Sequence, residues 1–135
     1  MFGSRPSKPQ NRIDSLIGAG TKVKGDVSFT GGLRIDGEVD GNVIAEPGKA
    51  STLVLSEHAR VDGQISVTHL VVNGTVTGPV RATEYLELQG KAKLVGDVHY
   101  KTLEIQLGAI IEGKLIHLNE ASEKVVPLKV GGAES

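Results

Sequence analysis

The 135-residue sequence contains no cysteine and no tryptophan, and aromatic residues make up only 3% of the chain. The lack of cysteine excludes a disulfide framework, a thiolate metal site and a cysteine nucleophile. Because large rings are scarce, the core must be filled by aliphatic side chains, which suits a narrow interior. A chain of this length has room for one domain with tails.

Neither sign of charge dominates, since 15 Lys and Arg residues stand against 16 Asp and Glu residues, for a formal net charge of -1. This balance creates no strong field that would attract nucleic acid. Long apolar runs of the kind that span a membrane are missing, and residues 1–10 lack the apolar stretch of a secretory signal. We therefore expect a cytoplasmic chain that does not cross a membrane.

Glycine, by contrast, is abundant with 18 copies, and it recurs within an internal repeat. Residues 33–45 align with residues 70–82 without a gap, and apolar residues or glycine occupy every second position of both. Comparable units begin at six positions, namely Ile17, Leu33, Leu53, Leu70, Leu86 and Leu103. The steps between successive starts are 16, 20, 17, 16 and 17 residues. Self-similarity at a period of this size predicts a solenoid.

Within each unit, apolar and polar residues alternate with the period of two that is typical of a half-buried strand. A unit of about 17 residues suffices for three short strands and three corners, and the glycines favour the corners. The pattern predicts an all-β fold, a single-stranded β-helix of about six coils at residues 17–118. Consecutive coils pair at ~4.8 Å, so the first and last coils should lie roughly 24 Å apart. Residues 46–50 should bulge outward as a loop, and residues 1–16 and 119–135 should be disordered tails.

Five glycine-centred pentads share the pattern apolar-x-Gly-x-apolar, at residues 23–27, 35–39, 61–65, 72–76 and 111–115. Together with the start Met1-Phe2-Gly3, they resemble the repeats of the bactofilin family across nearly all of the repeat region. The resemblance implies a right-handed β-helix that polymerises without nucleotide into bacterial cytoskeletal filaments, with subunits in an alternating, non-polar order. It also implies association with the inner membrane surface and with cell-wall enzymes.

Both ends of a β-helix expose backbone groups and apolar core side chains that form a template for another copy of the chain. The predicted self-assembly interface comprises Ile17, Val23, Val27 and Phe29 at the first coil and Ile111, Leu115, Ile116 and Leu118 at the last. Two alternatives stay open: residues 119–130 fold over the last coil, or the β-helix is an adaptor that remains monomeric.

The amino-terminal tail carries an aromatic residue near its tip and several cations. Phe2, Arg5, Lys8 and Arg12 are predicted to bind the inner face of the membrane, and many tails on one filament would bind more firmly than one. The alternative is a disordered leader without a lipid-binding role.

Candidate catalytic and metal-binding residues do not form a recognisable motif. The histidines His58, His69, His99 and His117 share no metal-site spacing such as His-x-x-x-His. The acidic residues Asp36, Glu38, Asp62 and Asp97 suggest a calcium face, but Gly-Gly-x-Gly-x-Asp repeats are missing. A phosphate-binding Gly-x-x-x-x-Gly-Lys-Ser/Thr loop is also missing, so we expect no nucleotide, cofactor or metal.

A hexapeptide-repeat acyltransferase is the enzymatic alternative, since it is also a β-helix. Its repeat has a bulky aliphatic residue at every sixth position, and its catalytic histidines commonly lie on a projecting loop. This chain has glycine-centred pentads and no long inserted loop. We therefore expect a structural protein and not an enzyme.

Overall fold

Short β-strands wind into a β-helix of six coils, each with three faces. The computed structural model describes residues 13–119, and all regular secondary structure in this range is β-strand. Face 1 contains β1 (Ser15–Ile17), β4 (Gly31–Ile35), β7 (Ser51–Leu55) and β14 (Leu103–Ile105). Face 2 contains β2 (Lys22–Lys24), β5 (Glu38–Asp40), β8 (Arg60–Asp62), β10 (Thr75–Thr77), β12 (Lys93–Val95) and β15 (Ile110–Glu112). Face 3 contains β3 (Val27–Phe29), β6 (Val43–Ala45), β13 (Val98–Tyr100) and β16 (Leu115–His117). Two longer strands, β9 (Ile65–Val72) and β11 (Val80–Leu88), turn from face 3 of one coil to face 1 of the next.

Every pair of neighbouring strands is parallel, and each of coils 2 to 5 pairs with the coils on either side of it. On face 1 the register places five leucines in one row, namely Leu33, Leu53, Leu70, Leu86 and Leu103. These are five of the six unit starts that the sequence predicts. The predicted all-β β-helix of about six coils is therefore confirmed.

The predicted start of the first unit is wrong by two residues, because Ser15, and not Ile17, pairs with Leu33. The difference arises at the corner between faces 1 and 2, which has four residues in coil 1 (18–21) and two in coil 2 (36–37). A two-residue shift leaves the same set of side chains facing inward. The alternation of apolar and polar residues therefore cannot reveal it.

Inward side chains form continuous apolar rows that run along the rod, with one side chain per coil. On face 3 the row contains Val43, Ile65, Val80 and Val98, all 0% exposed. On face 2 it contains Val39, Val61, Val76 and Leu94, none more than 1% exposed. Each interior side chain is covered by the coils above and below, and this burial is the main source of stability.

The corner between faces 2 and 3 is a stack of six glycines, Gly25, Gly41, Gly63, Gly78, Gly96 and Gly113. Gly96 shows why the position needs glycine: its φ is +132°, and a Cβ there would lie 2.7 Å from the carbonyl oxygen of Gly78. The backbones of adjacent coils therefore approach too closely for any side chain. Side chains beside the glycines tie the coils together, since Asn42 Oδ1 accepts a hydrogen bond from the Gln64 N–H at 2.8 Å.

Corners between faces 1 and 2 differ in length from coil to coil. Coils 1, 3, 5 and 6 have four residues there (18–21, 56–59, 89–92 and 106–109), and coils 2 and 4 have two (36–37 and 73–74). We call them long and short corners. The glycine of a short corner lies against the long corner of the preceding coil: a Cβ on Gly74 would lie 2.5 Å from the carbonyl oxygens of Ser56 and Ala59. At the corner between faces 3 and 1, residues 46–50 form an exposed loop, as the sequence predicts.

Candidate assembly surfaces at the ends of the rod

The last coil ends the apolar rows and leaves their final side chains half exposed. On face 1, Leu88 of coil 5 is 0% exposed, but Ile105 of coil 6, its neighbour in the same row, is 47% exposed. On face 3, Val98 is 0% exposed and Leu115 above it is 46% exposed. Ile111 ends the row on face 2 and is partly exposed. The carboxy-terminal end of the rod is thus an apolar surface made by three different strands.

The first coil forms a similar surface at the opposite end. Ile17, Val23, Val27 and Phe29 all face inward and are partly exposed, because no earlier coil within residues 13–119 covers them. The row on face 1 that holds the five leucines begins here with Ser15, so this end is less apolar than the other. Both predicted groups of interface residues therefore lie at the ends, with two exceptions.

Ile116 and Leu118 are the two exceptions. Ile116 pairs with His99 and lies on the outer side of face 3, whereas Leu115 on the same strand faces inward. Leu118 is 5% exposed, and its N–H donates a hydrogen bond to the Tyr100 carbonyl oxygen at 2.6 Å. A charge at position 118 would therefore disturb the packing of the last coil itself, so Leu115 is the better position for a test of stacking.

The predicted interface does not include Ile105, although this half-exposed side chain ends its row on face 1 at the carboxy-terminal end of the rod. The alternation counted from Leu103 could have found it, since both residues occupy inward positions of the sixth unit. Leu107, another apolar residue of the last unit, lies in the long corner of coil 6 and is 98% exposed.

Backbone groups at the ends also lack the neighbours that interior coils provide. At the glycine corner each backbone N–H points toward the next coil. The Gly78 N–H donates to the Val95 carbonyl oxygen at 2.8 Å, and the Gly96 N–H donates to the Glu112 carbonyl oxygen at 2.9 Å. Gly113 is the last of this stack in the described range, and its N–H therefore faces out of the end of the rod. A row of outward backbone donors is a known template for pairing with another chain.

The predicted membrane-binding residues, Phe2, Arg5, Lys8 and Arg12, lie outside the described residues. Within residues 13–119, no helix is long and apolar enough to cross a membrane.

The histidines do not converge on a site. His69 Nδ1 lies 2.8 Å from Thr68 Oγ1, and His117 Nε2 lies 3.0 Å from the Lys101 carbonyl oxygen. Among the residues that the structure describes, no group of three or more His, Cys, Asp or Glu side chains could hold a metal ion.

Ionised groups are instead paired across the outer surface. The Arg34 guanidinium donates to Asp36 at 2.8 Å and lowers the pKa of that carboxyl group. Lys91 of coil 5 reaches Glu57 of coil 3 at 2.8 Å, which lowers the pKa of the glutamate and raises that of the lysine. These contacts join neighbouring parts of one surface and do not create a reactive centre.

Comparisons with known proteins agree with this geometry. Residues 15–116 match a family model described as bactofilin, polymer-forming cytoskeletal. The chain is 26% identical over 109 residues to bactofilin BacP of Myxococcus xanthus and 26% identical over 102 residues to bactofilin BacO of the same organism. These alignments cover 81% and 76% of this chain, 44% of BacP and 78% of BacO, so the chain spans less than half the length of BacP. The crystal structure of a mutant bactofilin from Thermus thermophilus is similar to this structure, with a TM-score of 0.62 and a sequence identity of 27%. The match covers 68% of this chain and 98% of the Thermus chain.

Proposed function

Because the chain belongs to the bactofilin family of polymer-forming cytoskeletal proteins, and is thus a structural protein and not an enzyme, we propose that it polymerises by stacking its β-helices end to end. The process needs no nucleotide, since the driving force is the burial of the two rod ends. The resulting filament is a scaffold for cell-shape or cell-wall machinery at the inner face of the membrane.

The observation that carries this proposal is the sharp change in exposure at the last coil. Inward side chains that are fully buried in coil 5 have half-exposed counterparts in coil 6, namely Ile105 and Leu115. Burying the exposed half of one such side chain contributes about 1 kcal/mol to association, and several side chains are buried at each junction. If like ends meet, as in the alternating order, each residue contributes twice.

A substitution on the inner side of the last coil tests the stacking. Leu115→Arg and Ile105→Arg each place a cation on the inner side of the last coil, where burial in the junction without a partner costs several kcal/mol. We expect both variants to remain short and soluble, because a change of this size weakens association by orders of magnitude. Sedimentation and negative-stain microscopy without nucleotide measure the effect, and circular dichroism checks that the β fold is retained.

Ile110→Arg is the matched control. Ile110 belongs to the same coil and is 48% exposed, close to the values for the two test positions, but it lies on the outer side of face 2. This variant should form filaments of normal length. Normal filaments from Leu115→Arg and Ile105→Arg would mean that the sides of the rod or the tails carry assembly, and a wild-type protein that stays monomeric would favour an adaptor function.

The membrane part of the proposal is supported by the composition of the amino-terminal tail. Arg5, Lys8 and Arg12 contribute about 1 kcal/mol each near an anionic surface, and Phe2 adds an aromatic side chain. One tail is a weak anchor, but a filament displays many tails and binds by avidity.

A further inference from the structure

One column of side chains on the outer side of face 1 has an ordered distribution of charge. In register, one residue per coil, it contains Leu16, Arg34, Val54, Val71, Glu87 and Glu104. A cation therefore lies toward the amino-terminal end, two valines lie in the middle, and two carboxylates lie toward the carboxy-terminal end. The column borders an open groove at the corner between faces 1 and 2, and Arg34, Val54 and Val71 line its face 1 side.

We propose that face 1 pairs with face 1 of a second copy of this chain, with the two rods antiparallel. The two-fold axis passes between coils 3 and 4 and runs along the strand direction. Coil 2 of one rod then faces coil 5 of the other, which places Arg34 opposite Glu87. Coil 3 faces coil 4, which places Val54 opposite Val71. Because the contact is symmetric, each of these pairs occurs twice.

The charge order selects the antiparallel arrangement over the parallel one. In a parallel pair each coil faces its own equivalent, so Arg34 would face Arg34, and Glu87 and Glu104 would face their own copies. Like charges in direct opposition are unfavourable and select against a wrong partner orientation. Reversing one rod replaces the Arg34 and Glu87 repulsions with two Arg–Glu contacts and places Glu104 opposite Leu16.

The corners between faces 1 and 2 match in length as well. The long corner of coil 3 (56–59) faces the short corner of coil 4 (73–74), and the long corner of coil 5 (89–92) faces the short corner of coil 2 (36–37). At the ends, two long corners meet. There the 98% exposed Leu107 belongs to the corner that faces residues 18–21, which contain Gly18, Ala19 and Gly20.

Neighbouring side chains hold the charged groups of the column in place. Arg34 uses its Nε to bind Asp36, and a guanidinium has five N–H donors in all, so this bond orients it without using it up. Gln89 Nε2 donates to Glu87 at 3.2 Å, and the Tyr85 hydroxyl donates to Glu104. The Glu104 contact also raises the pKa of Tyr85. Held groups lose less conformational entropy when a partner arrives.

The surface is too small to hold two separate subunits together. Six coils at ~4.8 Å and a strand width of about 12 Å give roughly 300 Å² per partner, against about 800 Å² in a standard stable interface. Pairing therefore rests on the proposed function, because only a filament repeats the contact often enough for avidity to make it firm. The inference extends that function from single filaments to side-by-side bundles, in which the two rods of each facing pair are antiparallel.

Reversal of charge tests the pairing. Arg34→Glu or Glu87→Arg should leave single filaments of normal length and reduce the fraction of paired filaments about tenfold or more, since two contacts per pair become repulsive. The double variant R34E/E87R exchanges the two charges and should restore pairing. Negative-stain microscopy measures filament width and length separately.

Arg60→Glu is the matched control. Arg60 binds Asp62 two residues away through its Nε, as Arg34 binds Asp36, but it lies on face 2, and its reversal changes the net charge equally. This variant should pair like the wild type. Wild-type filaments that are always single, single variants that pair normally, or a double variant that stays single would each overturn the proposal.

A cross-linking experiment separates this proposal from the formation of filaments. The chain has no cysteine, so Asp36→Cys and Gln89→Cys chains can be mixed and treated with a short bismaleimide at high protein concentration. Antiparallel pairing predicts a product that joins position 36 to position 89, whereas two copies of position 36 are three coils, ~14 Å, apart along the rod. A product joining 36 to 36 overturns the antiparallel arrangement. Filaments that form without the 36-to-89 product reject the pairing alone, whereas a chain that forms no filaments rejects the proposed function and the bundles that rest on it.

Discussion

At the scale of single residues, the glycine corner sets the distance between coils. Each glycine backbone lies against the carbonyl group of the glycine in the coil before it, so one oversized residue would push two coils apart. The hydrophobic rows depend on the same spacing. Substitutions at this corner should therefore affect stability more than substitutions at glycines in open positions.

Gly96→Ala should lower the free energy of unfolding by about 2–4 kcal/mol, because it combines a positive φ with a Cβ 2.7 Å from a backbone oxygen. Gly18→Ala is the control, since a Cβ at Gly18 meets nothing within 4 Å. We expect the control to change stability by no more than about 0.5 kcal/mol. Urea unfolding measures the stability of the Gly96→Ala and Gly18→Ala variants, in a Leu115→Arg background that prevents stacking. Equal effects of the two substitutions would show that the glycine corner tolerates a side chain.

Burial at the edge of the last coil could not be predicted from single residues. Alternation counts inward and outward positions only while the strand continues, and β16 ends at His117. Alternation from Leu115 places Ile116, which lies within the strand, on the outer side, whereas Leu118 lies beyond the strand and is buried. The burial of Leu118 depends on where the chain leaves the strand, and the pattern of apolar residues does not contain that information.

At the scale of strands and corners, the rows of Leu33, Leu53, Leu70, Leu86 and Leu103 were predictable because burial on one side forces a period of two and the coil forces a repeat. The lengths of the corners were harder to predict from the sequence. A long and a short corner differ by two residues, and a two-residue difference leaves the same side chains facing inward. The antiparallel match of long with short corners therefore becomes visible only in three dimensions.

The exposed loop at residues 46–50 should be dispensable for the fold. Its removal joins Ala45 to Ser51 and gives the sequence Ala-Ser-Thr-Leu, which matches Val67-Thr68-His69-Leu70 at the same corner of the following coil. The step from Val43 to Ile65 would fall from 22 residues to the 17 that separate Val98 from Leu115.

We expect this deletion to change the free energy of unfolding by no more than about 1 kcal/mol, because shortening an exposed loop has a small entropic effect. Thermal unfolding followed by circular dichroism measures it. Deletion of residues 56–59, which removes a long corner against which Gly74 packs, is the comparison and should be strongly destabilising. Similar melting of the two variants would show that corner length does not matter to the stack.

At the scale of the whole molecule, the tail and the filament should act together in membrane binding. Deleting residues 2–12 should abolish co-sedimentation with anionic vesicles while filaments still form. The variant Leu115→Arg with an intact tail should also bind vesicles much more weakly than the wild type, since it lacks avidity. Equal vesicle binding by the tail deletion and the full chain would show that the anchor lies elsewhere, and vesicles of neutral lipid are the control for the charge.

The direction of the hydrogen bonds relative to the chain has a mechanical consequence. Within each molecule the backbone winds around the axis while the hydrogen bonds between coils lie along it, so a pull along the rod loads all three faces at once. Two adjacent coils are also joined covalently, whereas two adjacent molecules in a filament are not. Tension should therefore break the filament at its junctions and leave each molecule folded, with both ends ready to rejoin. Under load such a polymer would break into shorter filaments, and these would rejoin end to end once the load is removed.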